Sequence, residues 1–499
     1  GLRGRGQGLE AGFWATCLIS VPVACAVLGA SAATLPYTGL NPTALIGLAF
    51  FALTWAGICL VWGAPFAIPA ALVVWLYRGV AARIGRPRPA PSAHRRRRRW
   101  RAMAVLGAVG FVVGGGLGTF VIRASFRSLE EAASETDAID PDWRLDDLMA
   151  TREDVADQEN GALVAAEAVA ALPSGWPPDP PKDVPSDSTL MTRWFRATDL
   201  PPFRRLDDDT VDLLRADLEP RRETVALART LAGFPSGRHE LEVGPTVIDT
   251  RLPETREARQ VARLLQGDAF LLAHDGRIDE ALASCRAILG TARSIGDEPF
   301  AISQLVRTAL DCQALAAAVR AVAQGEPSEA ALAAMQDALH DELLWPRTQC
   351  GLRGERATLS EVLRRLGAGE MSIDQLSGSS KPPGGPMRVA GAVVVGSAYQ
   401  TSLVLRWINE LLEITDRPDH EWSAAVDAWE AKLDSARKAR LAPFTSALAL
   451  LTVRGLQAFV RSEQRFRAEA GAVLVLLAAE RSRLRHGAWP ASVDAIDPD

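Results

Sequence analysis

The sequence predicts an all-α chain: N-terminal transmembrane helices followed by an extracytoplasmic domain of helical hairpins, arranged as an irregular α-solenoid or bundle. Three observations carry that expectation. Apolar runs fill most of residues 12–122 and are split by a block of arginines. Beyond residue 124, apolar positions recur at helical spacing, interrupted by Pro, Gly and Asp turns. Strand signals are nearly missing, the one candidate being Leu241 to Ile248.

The arginine block sets the membrane reading. Arg78 to Arg101 holds ten arginines and no acid, five of them consecutive from Arg95 to Arg99. About 20 apolar residues cross the hydrocarbon core as a helix, and Arg-rich loops between spans stay on the cytoplasmic side. The loop 78–101 is therefore expected inside, with spans at about 12–33, 43–77 and 102–122 in a membrane region 1–123. The N-terminus is then inside and the uncharged loop 34–41 outside. The 43–77 run exceeds one span, and Gly63-Ala64-Pro65 interrupts it, so it reads as one kinked helix. Trp14, Trp75, Tyr77 and Trp100 lie at the inner ends, where amphipathic rings favour the headgroup level. Gly110, Gly114 and Gly118 form a small-xxx-small face suited to close packing of spans. Five arginines in a row can also bind nucleic acid or anionic lipid. Their position between spans favours a topology role. Ala30-Ser31-Ala32 resembles a signal-peptidase site, whose use would leave the downstream topology unchanged.

Charge divides at the same place. Residues 1–127 carry 14 arginines, no lysine and one acid, so they are about +13 within a chain of net charge −5. The body beyond is acidic, which argues against a nucleic-acid partner. The expected partners are the lipid bilayer and proteins of the bacterial envelope, with the chain multi-pass in the cytoplasmic membrane. Cys17, Cys25 and Cys59 fall in the apolar runs, and Cys285, Cys312 and Cys350 are scattered. Their spacing matches neither a disulfide framework nor a zinc site. The ends, Gly1 and Asp497-Pro498-Asp499, read as those of a fragment.

The outer body divides into a helical domain 124–376, a flexible loop 377–387 and C-terminal helices 388–499. Ala124 to Ala138 is a polar stalk or helical continuation. Asp140-Pro141-Asp142-Trp143 turns the chain into a helical stretch Arg144–Leu172. Pro173 to Pro185, with six prolines, breaks regular structure. Helix resumes at Asp207 and runs to Leu231, with Asp207-Asp208-Asp209 read as a cap. The clearest hairpin is Arg256 to Arg293, turning at His274-Asp275-Gly276-Arg277. Helices follow at Ser303–Ala323 and Ser328–Leu344. Val389 to Leu405 raises the question of a fourth span, but it carries Ser397, Gln400 and Ser402 and is short for a bilayer. A buried helix is preferred there. In Glu421 to Leu441, Trp422, Val426, Trp429 and Leu433 share one face, expected in the core. A long helical region runs from Thr445 to Arg485.

Three resemblances attach to these stretches. Leu265, Ala269, Leu272, Gly276, Ala281 and Ile288 resemble the large/small pattern of a tetratricopeptide unit. Arg293 stands where that unit closes on proline. The next comparable turn, Gly325 to Ala330, comes 49 residues after Gly276, against a repeat of about 34. Ala478 to Ile496, through Glu480-Arg481, His486-Gly487, Trp489-Pro490 and Asp494, is similar to the helix end of pseudopilin-like proteins. Their N-terminal hallmark is absent. More widely, Asp157-Gln158-Glu159-Asn160, Ala292 to Pro299 and His486 to Pro490 resemble an uncharacterised family of membrane-anchored helical proteins of planctomycete-type bacteria. That resemblance implies a β-containing tail beyond Asp499 and no known activity.

No signature of chemistry emerges. His420-Glu421 lacks the second histidine of a zincin, and the six histidines are dispersed. Gly-x-Ser-x-Gly and the phosphate loop are missing, and Ser435-Ala436-Arg437-Lys438 has no companion Lys-Thr-Gly. No catalytic, cofactor-binding or metal-ligating residue is assigned. Two readings follow. One is a non-enzymatic envelope module that binds or scaffolds protein or peptide partners. The other is an envelope hydrolase whose site gathers His239, Glu240, His274 and Asp275, which requires those side chains to meet in one cleft.

Overall fold

A computed structural model of the chain describes residues 116, 119–176, 197–368, 370–371, 375, 398–439 and 446–496. The expected spans 12–33 and 43–77, the arginine loop 78–101, most of 102–122 with its three glycines, residues 177–185, the loop 377–387 and residues 389–397 lie outside that set. Among the described residues every regular element is helical, and no helix is long and apolar enough to cross a membrane. The chain divides into two units. One comprises Gly1–Glu135, Ser360–Leu403 and Pro443–Ala449; the other comprises Thr136–Leu359, Val404–Ala442 and Leu450–Asp499.

Residues 119–139 are one helix, as the stalk reading expected. The helices after it are α1 (Leu145–Ala150), α2 (Gly161–Ala170), α3 (Asp208–Leu218), α4 (Arg222–Arg229), α5 (Pro253–His274), α6 (Ile278–Arg293) and α7 (Ala301–Gln324). Then come α8 (Glu329–Leu344), α9 (Arg347–Ala368), α10 (Ala398–Thr415), α11 (Trp422–Lys438), α12 (Ala447–Val453) and α13 (Leu456–His486).

The second unit is built on α5, α6 and α7, with α6 packed against both neighbours. Ala281, Ala287, Ala292, Ala314, Ala317, Ala318 and Ala321 are almost fully buried, so the backbones can approach closely. Leu264, Leu265, Leu282 and Ile288 fill the space between. Burial of each such side chain contributes about 1.5–3 kcal/mol. The α5–α6 hairpin lies where its periodicity put it. Its turn is set by Gly276 at φ 76°, where the Arg277 N–H donates to Leu272 O at 2.8 Å and the Gly276 N–H to Ala273 O at 3.2 Å. This left-handed closure satisfies the last helical carbonyls. At the outer rim of the core, Arg320 of α7 donates to the carbonyls of Ala197, Leu200 and Arg204 at 2.9–3.1 Å and holds the 197–206 segment down.

Caps follow the sequence closely. The Asp207 carboxylate accepts from the Thr210 N–H at 2.8 Å, and the Ser328 hydroxyl accepts from the Ala331 N–H at 3.2 Å. Trp422, Val426, Trp429 and Leu433 are all buried. The Trp429 indole donates to Trp407 O at 3.0 Å, so the tryptophans serve the core. The 140–143 turn is locked because Asp140 takes Arg353 bidentately at 2.7 Å and also pairs with Arg356. Burial works against the Asp140 charge, but the two guanidiniums outweigh it and lower its pKa.

Three expectations change, and a fourth holds in its described part. The candidate strand Leu241–Ile248 is not a strand: Gly244-Pro245 starts a turn that places Val247 at φ 66°, held by the Asp249 carboxylate on the Thr246 N–H at 3.0 Å. Alternation without a partner strand leaves backbone groups unpaired, so local turn bonds win. The stretch Arg144–Leu172 is two helices, because residues 151–160 are drawn into contacts with distant segments. The region Thr445–Arg485 breaks at Arg454-Gly455 into α12 and α13. At Ala398–Leu405, the described part of the fourth-span candidate, α10 buries Gln400 and Ser402. There Gln400 Oε1 accepts from the N–H groups of Leu448 and Ala449.

Candidate functional site

The residues proposed for a dispersed catalytic site do not converge. His274 ends α5, and Asp275 beyond it pairs with Arg215 at 2.5 Å. His239 lies at the other end of that helix, beside Arg152, whose charge also reaches Glu254 near the start of α5. A helix of 22 residues spans about 33 Å, far beyond hydrogen-bond reach. Glu240 is exposed. His239 is pressed down to a pKa of about 4, by burial first and by the Arg152 charge second.

What the fold does build at the His239 end is a knot of three segments: 151–160, 236–240 and the α6–α7 turn 294–300. Arg152 Nε donates to Asp297 Oδ1 at 2.9 Å, and its Nη1 donates to His239 O at 3.0 Å. Asp297 Oδ2 accepts from the Glu153 N–H at 2.7 Å. Asn160 caps α2 by accepting from the Ala162 N–H at 3.0 Å. The same side chain exchanges two bonds with the Arg238 backbone, at 2.9 and 3.0 Å. Gly237 and Gly296 pass so closely that a Cβ on either would strike backbone atoms of the facing segment. Gly296 also sits at φ 69°. Two stretches cited for the planctomycete-type resemblance, Asp157 to Asn160 and Ala292 to Pro299, thus meet here.

Under the knot lie two facing carboxyls. Glu298, on the turn, is fully buried, and Glu254 of α5 is 4% exposed. Neither Glu298 oxygen receives an N–H or O–H donor of normal geometry, and Glu254 Oε1 lacks one too. Burial, and then the Glu254 charge, push the Glu298 carboxyl up to about 8. Burial also raises Glu254. Ser303 lies beside Glu298 and opposes that rise slightly. The Gln304 amide clamps the turn by donating to Gly296 O and Glu298 O at 3.1 and 3.0 Å. Such a pair can hold one proton between two carboxyls at neutral pH.

A second buried polar cluster lies further along α7. Arg347 is fully buried and pairs with Asp311 at 3.0 Å, Glu342 at 3.0 Å and Glu463 at 3.6 Å. Arg307 and Arg293 add to Glu342 at 3.0 and 3.5 Å, and Arg467 reaches Glu463 from the rim at 3.0 Å. Arg347 also stacks on Phe466, 4.4 Å from its centroid. Burial opposes the Arg347 charge, yet Asp311, Glu463 and Glu342 outweigh it and raise its pKa. Burial pushes Asp311 well above the usual carboxylate range. Three inner carboxyls face three guanidiniums, the balance a buried network requires.

An open groove of about 510 Å³ runs between α8 and α13 under the tail. Leu474, Val475, Ala478 and Ile496 line it, with His340 and Arg481 among its polar groups. Of the residues in these features, Glu298 falls within the Ala292 to Pro299 resemblance, whereas Glu254 and Arg347 carry no motif. A lone Glu at a helix start carries no outward sign of its fate. The available signal was Glu298 directly before Pro299-Phe300, on a turn that carries Gly296. Among the described residues no group of three or more His, Cys, Asp or Glu is placed to hold a metal ion. No family model, curated protein or solved structure matches this chain.

Proposed function

We propose that this chain is a membrane-anchored helical module of the bacterial envelope that binds a protein or peptide partner. The anchor rests on the sequence alone, through the apolar runs and the arginine loop 78–101 between them. The binding role rests on one observation above others, the groove between α8 and α13. It sets apolar Leu474, Val475, Ala478, Val493 and Ile496 against a comparable number of polar and charged side chains, an amphipathic lining. An amphipathic helix or extended peptide is the ligand shape that such a groove takes. His239 and His274 lend no support to the hydrolase reading, because they stand at opposite ends of α5.

Two experiments test this. Single cysteines at Ser92 and Ser236, labelled in intact cells, should react only at Ser236; the reverse pattern would overturn the topology. A photo-crosslinker at His340 should capture a discrete partner that Val475→Asp abolishes while the fold persists. Capture unchanged by that substitution would remove the groove from the function.

A further inference from the structure

We propose that Glu254 and Glu298 form a proton switch: while they share a proton, segments 151–160 and 236–240 stay fastened to the α6–α7 turn, and loss of that proton releases them. The charge count carries the inference. Among the described residues, Glu254, Glu298 and Asp297 face a single nearby guanidinium, that of Arg152, whose Nε and Nη1 already serve Asp297 and the His239 carbonyl. Arg238 from the same loop spends its guanidinium on the carbonyls of Arg152 and Glu153. Arg307 of α7 is held by Glu342.

Among the described neighbours Arg353 of α9, whose charge reaches Cys350, is taken by Asp140, and the others add no positive charge. From α5, Glu257 contributes another negative charge near Glu254. From α7, Ser303 and Gln304 are neutral and fully buried. From α9, the Cys350 thiol donates to the carbonyls of Asp297 and Glu298 at 3.4 and 3.5 Å. The Glu355 carboxyl, raised by burial, accepts from the Ala301 N–H at 3.2 Å. His239 is held neutral by burial and Arg152. Two ionised carboxylates cannot both remain in a site so buried, where no further cation among the described residues pairs with them.

Deprotonation therefore has to admit water. The elements able to move are those without a helical hydrogen-bond ladder, the 151–160 segment and the loop from 236 to 250. The 151–160 segment hangs on the turn through Asp297, which takes Arg152 and the Glu153 N–H, and the 236–240 segment is tied to it through Asn160. Close passage of Gly237 against the turn leaves no slack, so admission of water and release of the loop are one event.

The test is hydrogen exchange of the full chain, followed peptide by peptide from about pH 6 to pH 9 and corrected for intrinsic rate. Wild-type peptides covering 151–160 and 236–250 should lose at least tenfold in protection across that range, while α6 peptides hold. Glu298→Gln, whose amide keeps the shape of the protonated acid, should abolish the loss. Glu254→Gln, which leaves Glu298 titrating without an opposing charge, should move the midpoint to lower pH. A wild type with flat protection, or a Glu298→Gln variant that loses protection in parallel with it, would overturn the switch. If Glu298→Gln does not fold, an unmoved midpoint in Glu254→Gln overturns it equally.

Discussion

The two buried charge clusters of the second unit share a helix and differ in charge count. Ser303 and Gln304 at the start of α7 border the carboxyl pair, whereas Arg307 and Asp311, one to two turns on, belong to the Arg347 network. Both exclude water. Around Arg347 each carboxyl meets a guanidinium, so the pairs can act as a brace even though burial raises Asp311. Around Glu298 the acids outnumber the cations, so a proton has to make up the deficit. Burial alone therefore does not say what a polar cluster does. The local balance of charges decides whether it is fixed or labile.

That contrast breaks most visibly at Arg347. Arg347→Met should cost about 3–5 kcal/mol, because three carboxyls lose their common partner inside the core. Denaturant unfolding at constant m-value measures it. A loss under about 1 kcal/mol would mean that water enters the cluster and that the brace reading fails.

Asn160→Ala comes next, at about 2 kcal/mol, since one side chain caps α2 and bonds both ways to Arg238. Thermal unfolding should register it, and exchange at 236–240 should rise with it. A stability loss without faster exchange would separate the cap from the knot.

Glu298→Gln should act in the opposite direction, gaining up to about 4 kcal/mol at pH 8 and little near pH 4.5. The sign follows from proton binding. The folded Glu298 carboxyl binds its proton up to about pH 8, whereas the unfolded one lets go near 4.5. Stability from this group is therefore full below 4.5 and drains away as pH rises to 8. His239 works from the other side, with its pKa lowered from 6.5 to about 4. It drains stability as pH falls through that window. The two slopes oppose each other between about 4.5 and 6.5, so unfolding free energy should plateau there and decline on the alkaline side. A wild-type curve still rising from pH 6.5 to 8, with no difference from Glu298→Gln, would contradict the unbalanced charge count.

The smallest effect expected lies outside both clusters. Gly487→Ala at the end of α13 puts a side chain at φ 72° and should cost about 1 kcal/mol. Unchanged protection in the 151–160 and 236–250 segments would show that the knot is insulated from that end.

Much of the fold could be read directly from residue order. The 274–277 turn, the Asp207 cap and the buried Trp422-Val426-Trp429-Leu433 face are local statements, decided by neighbours within a turn or two. Misreadings came where a distant segment competed. Residues 151–160 look helical by periodicity, yet Arg152 is claimed by Asp297, 145 positions away. Leu241 to Ile248 alternates like a strand, yet no partner strand exists among the described residues to complete its ladder. The candidate site was less legible. His239 and His274 are near each other in the chain, and a rigid 22-residue helix keeps them apart.

By itself, then, the sequence determined an all-helical chain, the position of its central hairpin, the helix ends and the expectation of an arginine-flanked membrane region. Spacing, capping and hydropathy act over a few residues and need no knowledge of the rest. Only the tertiary structure decided which charges are compensated. Arg347 gathers Asp311, Glu342 and Glu463 from three other helices, while Glu254 and Glu298 come together with too few cations around them. Pairing depends on which side chains share a dry space, and that is a property of packing.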